Sequence, residues 1–298
     1  MTFFNLNLKR RRWAASTAFF GLTALIAASA QAPAQAADLN ASTPRSWAEA
    51  AAANELRIIA DNGNFPLRYR IRKIDEKNDT TRDVIESRQG TVARLVQRNG
   101  QPLTAEEDAA ERARLNGLLA SPKDFIKHHK RDEAARGYSL ELVRELPRAM
   151  VFSYALEQPQ RPGFADPQVV IDFTPDPHYK PPSMIDQVLT GLQGRAWIDR
   201  KSLRVLRIEG RVLRPVDFGW GMVARVYPGG TIELEQINAG GDRWAFSHLR
   251  ENLTVREMMV KTVQQHAAMD AADFQVLPAP IDFQDAIRVL LATPLTLR

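Results

Sequence analysis

The chain has 298 residues, with 40 Lys plus Arg against 35 Asp plus Glu and no cysteine. Four of the cations and none of the acids fall within residues 1–36, so the remainder carries 36 against 35, a near-neutral balance that excludes a general nucleic-acid footprint. Without cysteine there are no disulfides, thiol nucleophiles or Cys-based metal sites, and the remaining length is enough to bury a full core as one domain.

Lys9, Arg10, Arg11 and Arg12 precede an apolar run from Trp13 to Ala28, and small residues lead to Ala34-Gln35-Ala36. This order predicts a secretory leader over 1–36, cleaved near Ala36, and with it a periplasmic location. The run is shorter than the ~20 apolar residues of a spanning helix. The expected product, 37–298, is a soluble single domain, at most peripheral to a membrane.

Residues 46–61 read as a helix: Ser46 and Glu49 have capping-box spacing, Ala48, Ala51, Ala52, Leu56 and Ile59 form a stripe, and Asn62-Gly63 supplies a stop. In 65–72, Phe65, Leu67, Tyr69 and Ile71 alternate with Arg68, Arg70 and Arg72, the period of a half-buried strand. Strands over 80–88 and 90–98 follow, closed by Asn99-Gly100. Residues 104–146 break the pattern with a helical insertion. Thr104 and Glu107 make a capping-box pair, Ser121-Pro122 starts a second helix, Gly137 is the expected stop, and Leu140 to Leu146 forms a third.

Alternation returns in Met150, Phe152, Tyr154 and Leu156, then in Val169, Ile171 and Phe173, and runs to about residue 275. Between Val205 and Leu206 the apolar parity switches, which predicts a β-bulge. Ile232 and Leu234 alternate with glutamates, and Trp244, Phe246 and His248 are expected to share one face. A helix over about 281–292 carries Phe283, Ala286, Ile287, Leu290 and Leu291 on one stripe. Strands in succession on short connections make an antiparallel meander, not parallel βαβ units. The expected class is α+β.

Gly194-Arg195-Ala196-Trp197-Ile198-Asp199, with the strand from Leu203 to Leu213, resembles the central hairpin of the bacterial lipoprotein-localisation superfamily, carriers of the LolA/LolB type. Ile171-Asp172-Phe173-Thr174-Pro175, Tyr179-Lys180-Pro181-Pro182, Asp217-Phe218-Gly219 and Ala224-Arg225-Val226 are similar to related exported lipoprotein-sorting-like proteins. The resemblance implies a half-barrel of about 9–11 antiparallel strands wrapped around helices, with an apolar cavity for an acyl chain. No individual ligand contact carries over from the carriers.

The candidate lining is the aromatic and Met set Phe152, Phe173, Trp197, Phe218, Trp220, Met222, Trp244, Phe246 and Met258, with Met259 beside it. An ordinary packed core is the alternative use of each. His128-His129 with Asp132-Glu133 lies among Lys127, Lys130 and Arg131, which repel a metal cation. His178 has no G-x-S-x-G, H-E-x-x-H or phosphate-loop motif beside it. Asp172, Asp199 and Glu209 read as polar-face residues, not as a converging acid pair. The sequence therefore points to a non-catalytic periplasmic carrier for a lipid or lipoprotein acyl chain, with no cofactor and no metal. The alternative is a protein-interaction module of envelope assembly or stress sensing, with the same fold and a filled core.

Overall fold

The computed structural model describes residues 42–60, 66–219, 221–240 and 243–294, the side chains of 58–60, 124, 128–129 and 131–135 excepted. The expected leader over 1–36, with Phe65 and Trp220, lies outside the described residues.

The elements are α1 (Pro44–Ala60), β1 (Leu67–Asp75), β2 (Asp79–Ser87), β3 (Gly90–Arg98), β4 (Gln101–Pro102), α2 (Ala105–Ala120) and α3 (Pro122–Ala149). Then come β5 (Met150–Tyr154), β6 (Gln168–Pro175), a 3₁₀ turn (Ile185–Thr190), β7 (Leu192–Asp199), β8 (Val205–Val212), β9 (Val216–Phe218) and β10 (Ala224–Val226). The chain continues through β11 (Thr231–Gly240), β12 (Arg243–Glu257), β13 (Lys261–Val276) and α4 (Phe283–Ala292). Among the described residues the expected 9–11 strands are 13, the surplus coming from β4, β9 and β10, which are only two or three residues long.

All strands belong to one curved, open, antiparallel sheet in an α+β fold. Its order is β4-β3-β2-β1-β13-β12-β11-β8-β7-β6-β5, with β9 and β10 joined to β12. The first three strands meet the last through β1–β13 pairing. The helical insertion therefore runs from one free edge, β4, to the other, β5.

Local chemistry sets the boundaries. In α2 the Thr104 side chain accepts from Glu107 N while Glu107 accepts from Thr104 N, the reciprocal box its spacing predicts. In α1 the reciprocal pair is instead Thr43 and Ser46: each backbone N–H donates to the other's hydroxyl oxygen. Pro44 takes the first helical position, where a missing N–H costs nothing, so the expected Ser46–Glu49 box is displaced three residues upstream. Gly137 does not stop α3, which continues to Ala149 as one helix of 28 residues. A glycine inside a helix costs about 1 kcal/mol, and Leu142, buried beyond it in the core, offsets that. Asn99 and Gly100 both take positive φ at their turn, as expected.

The sheet is buried on both faces where helices or loops cover it. Val84 and Ile85 are adjacent on β2 and both wholly buried. Val84 packs with Leu67, Tyr69 and Ile71, and Ile85 packs with Phe283, Ile287 and Leu290 of α4. Phe125 of α3 stacks on Phe283 at 4.3 Å between ring centroids. Arg94, 1% exposed, donates to the Leu290 and Thr293 carbonyl oxygens at 2.6 and 2.7 Å and pairs with Asp108 at 2.8 Å. That gives a charged donor to the Leu290 carbonyl in the last turn of α4, which also accepts from the Thr293 N–H, and to the Thr293 carbonyl just past the helix.

The expected bulge is present at Leu206: Trp197 pairs with Arg207 and Ile198 with Val205. A second bulge falls at Ser247, because Glu235 pairs with His248 and Gln236 with Phe246. It places Phe246 and His248 on opposite faces, correcting the expectation of one shared face. Arg68, Arg70 and Arg72 lie along β1, with Arg68 and Arg70 meeting Asp83 and Arg72 meeting Asp79.

Candidate functional site: a helix-roofed apolar cavity

A cavity of about 200 Å³ lies between the sheet and the helices α1 and α3. Its floor is the inner face of β5 to β8 and β11, where Ile171, Ile198, Val205, Ile208 and Leu234 alternate inward. Its roof comes from α1 and α3. Ala48, Ala51 and Ala52 stand at i, i+3 and i+4 on one helical face, and Leu142, Val143 and Leu146 close it from α3. The space exists because small side chains occupy the contact: three alanines above, Ala196 and Gly210 below. Gly194, in the motif carrying the family resemblance, permits the close approach of β7 to β8. A Cβ there would sit 2.0 Å from the Glu209 carbonyl oxygen and 2.7 Å from Phe173 Cζ.

At ~30 Å³ per water-sized group, the cavity holds roughly seven methylenes. That is below the ~300–1,000 Å³ typical of drug-sized sites.

Of the aromatic and Met candidates, Phe152, Phe173 and Phe246 line this cavity. Trp197 points to the opposite face, since Ala196 and Ile198 on either side of it face inward. It packs with Ala155, Val170, Leu206 and Trp244, and Phe164 from the 155–167 loop stacks on Trp244. Phe218 is wholly buried in a separate cluster with Val216, Ala224, Leu253 and Val255. Met222 and Met258 are exposed, at 53% and 60%, and Met259 with them at 59%. Met258 and Met259 sit in the tight β12–β13 turn with positive φ, tied to the 219–223 loop by a Met258 N–H to Val223 carbonyl bond. These six described residues do not line this cavity: two face another cluster, one fills a core and three point to solvent. Trp220 lies outside the described residues.

Two polar side chains on the wall, outside the aromatic and Met set, come from α1 and β11. Glu55 of α1 and Gln236 of β11 both line the cavity. Burial raises the Glu55 carboxyl above its ordinary value, against the opposing pull of the Arg204 charge, a Gln236 side-chain hydrogen bond and the Val205 backbone. Glu55 Oε1 is closed to solvent and has no hydrogen-bond partner. Each residue interrupts an apolar series: Glu55 follows Ala48, Ala51 and Ala52 at i+7, and Gln236 follows Ile232 and Leu234 at i+2. Those interruptions were the legible signals. Arg136 and Ser139 reach the wall from α3.

The other candidates do not assemble. Asp172 is bound by Arg195 at 2.6 Å and Glu209 by Arg207 at 2.6 Å. Asp199 accepts from Lys201 N, Ser202 N and the Ser202 hydroxyl, closing its own turn. His178 is exposed in its loop. His128 and His129 fall on α3, their side chains outside the described residues. Among the described residues no group of three or more His, Asp or Glu is placed to hold a metal ion.

Fold and site together define an α+β protein with an open, curved antiparallel sheet and an apolar cavity roofed by two helices. Comparison of the chain with protein families, with curated proteins and with solved structures gives no match. Among the described residues no helix is long and apolar enough to cross a membrane.

Proposed function

We propose that the chain is a non-catalytic periplasmic carrier whose half-barrel sheet shelters an apolar chain, the acyl group of a lipid or lipoprotein, beneath α1 and α3. The observation that carries this reading is the cavity: a preformed apolar space whose walls, apart from four polar side chains, are aliphatic or aromatic. Transfer of apolar surface from water contributes about 25 cal/mol per Å², so a chain of seven or eight carbons gains useful affinity with no covalent step. The export leader over 1–36 and the resemblance of the 194–213 hairpin to lipoprotein carriers agree with that use.

Native mass spectrometry of protein purified without detergent tests it. The expected result is a bound mass in the range of a lipid or acyl chain, or uptake of a fluorescent fatty probe. An empty protein that takes up no probe overturns the carrier reading.

The exposed cluster Met222, Met258, Met259 and Val260 at one end of the sheet favours a second use, docking of an envelope protein by the same fold. A single stoichiometric protein partner without lipid, lost on replacing these side chains with Ser, would decide for it.

A further inference from the structure

A cavity built only to hold hydrocarbon has no need of a carboxyl group on its wall. Burying one is costly unless it is hydrogen-bonded, yet Glu55 stands there with Oε1 lacking any donor. Its carboxyl is fixed on the other side by Gln236 and the Val205 backbone, with the Arg204 charge nearby. Among polar groups on the wall it is the one with an unfilled acceptor position shown. Resting on the reading of this cavity as a binding site, we propose that it selects an apolar chain ended by a neutral hydrogen-bond donor, a hydroxyl or amide N–H. Glu55 Oε1 accepts that bond.

The same geometry discriminates against a carboxylate-ended chain. A carboxylate brought to Glu55 places two acceptors, and for the ionised pair two negative charges, against each other in an apolar space, where they are poorly screened. A donor end fills the open position instead. Sites that hydrogen-bond one polar group reject analogues lacking it far more strongly than apolar pockets reject a missing methylene. The ligand class is thus an acyl amide, an acylated alcohol with a free hydroxyl, or a fatty alcohol, and a free fatty acid is disfavoured while the Glu55 carboxyl is ionised.

The experiment compares octanamide, 1-octanol and octanoate by calorimetry at pH 8, using the delipidated full chain and the variants Glu55→Gln, Gln236→Met and Ala51→Leu. Eight carbons match the cavity as it stands. The amide and the alcohol are expected to bind at least ten-fold tighter than octanoate. In Glu55→Gln, whose amide both donates and accepts, the difference falls to within about two-fold. Gln236→Met, which frees the carboxyl from its support, weakens amide binding several-fold.

Octanoate binding as tightly as the amide overturns the proposal, as does a ratio unchanged in Glu55→Gln. A preference for octanoate that disappears in Arg136→Met overturns it too and assigns the polar end to α3. In each of these cases loss of binding in Ala51→Leu leaves the carrier reading standing. No binding of any of the three probes removes both.

Discussion

Replacing Ala51 by Leu fills part of the cavity from the roof. Ala51 is 2% exposed and belongs both to the α1 contact with the core and to the cavity wall. Three added carbons occupy roughly 90 Å³ at ~30 Å³ each, nearly half of the 200 Å³ present. Empty apolar volume costs about 24 cal/mol per Å³, so filling that share stabilises by about 2 kcal/mol. An imperfect rotamer returns about 1 kcal/mol of it. The expected net effect is about 1 kcal/mol of added stability, a rise in midpoint of roughly 2–4 °C for a domain of this size. Binding of an eight-carbon probe falls at least ten-fold. Thermal unfolding followed by circular dichroism, with probe displacement on the same sample, reads both quantities. A variant destabilised by more than 1 kcal/mol whose probe affinity is unchanged would refute the reasoning, since it would mean that Ala51 packs against solid core and the probe lies elsewhere.

Burial raises the Glu251 carboxyl from 4.5 to about 7, with Lys73 partly opposing the shift. The folded state holds the proton more tightly than the unfolded chain, so this stability is complete below pH 4.5 and lost as pH rises through 7. At 1.36 kcal/mol per unit it amounts to about 3 kcal/mol. Urea titrations at pH 4.5 and 8.5 should show that difference shrinking in Glu251→Gln; parallel profiles for the two proteins would contradict it. Arg94→Met removes the charged donor from the Leu290 and Thr293 carbonyl oxygens and leaves Asp108 without that partner, and should cost about 3 kcal/mol, with α4 the first segment released to protease. Gly194→Ala forces a Cβ against the Glu209 backbone and should cost about 3 kcal/mol or more; near-native urea stability would show that β7 and β8 are not so close.

What was legible in the sequence was whatever one chain segment decides for itself. Alternation located the principal strands, the Thr104–Glu107 box placed the start of α2 to the residue, and the change of parity at Val205 and Leu206 gave the first bulge. Less legible was anything set by a distant partner. The bulge at Ser247 is hidden because Trp244, Phe246 and His248 read as an unbroken series, and only pairing with β11 shows the slip. Gly137 reads as a stop unless the packing beyond it is known. The two faces of β7 cannot be told apart by polarity, since Trp197 is buried on the face of the 155–167 loop and Ile198 on the face of α1. A cavity, above all, is missing volume. Large side chains fill space and small ones leave it, so Ala48, Ala51, Ala52 and Gly210 marked this site better than tryptophans or methionines could.

Isotope-filtered NOE spectroscopy, with methyl-labelled protein and unlabelled 1-octanol, places the chain directly. The account predicts cross-peaks from the octanol methylenes to the methyls of Ala51, Ile171, Val205 and Leu234 at once, which only a guest beneath α1 can produce. Contacts confined to Met222, Met258 and Met259, or none to any of those four methyls, would contradict it.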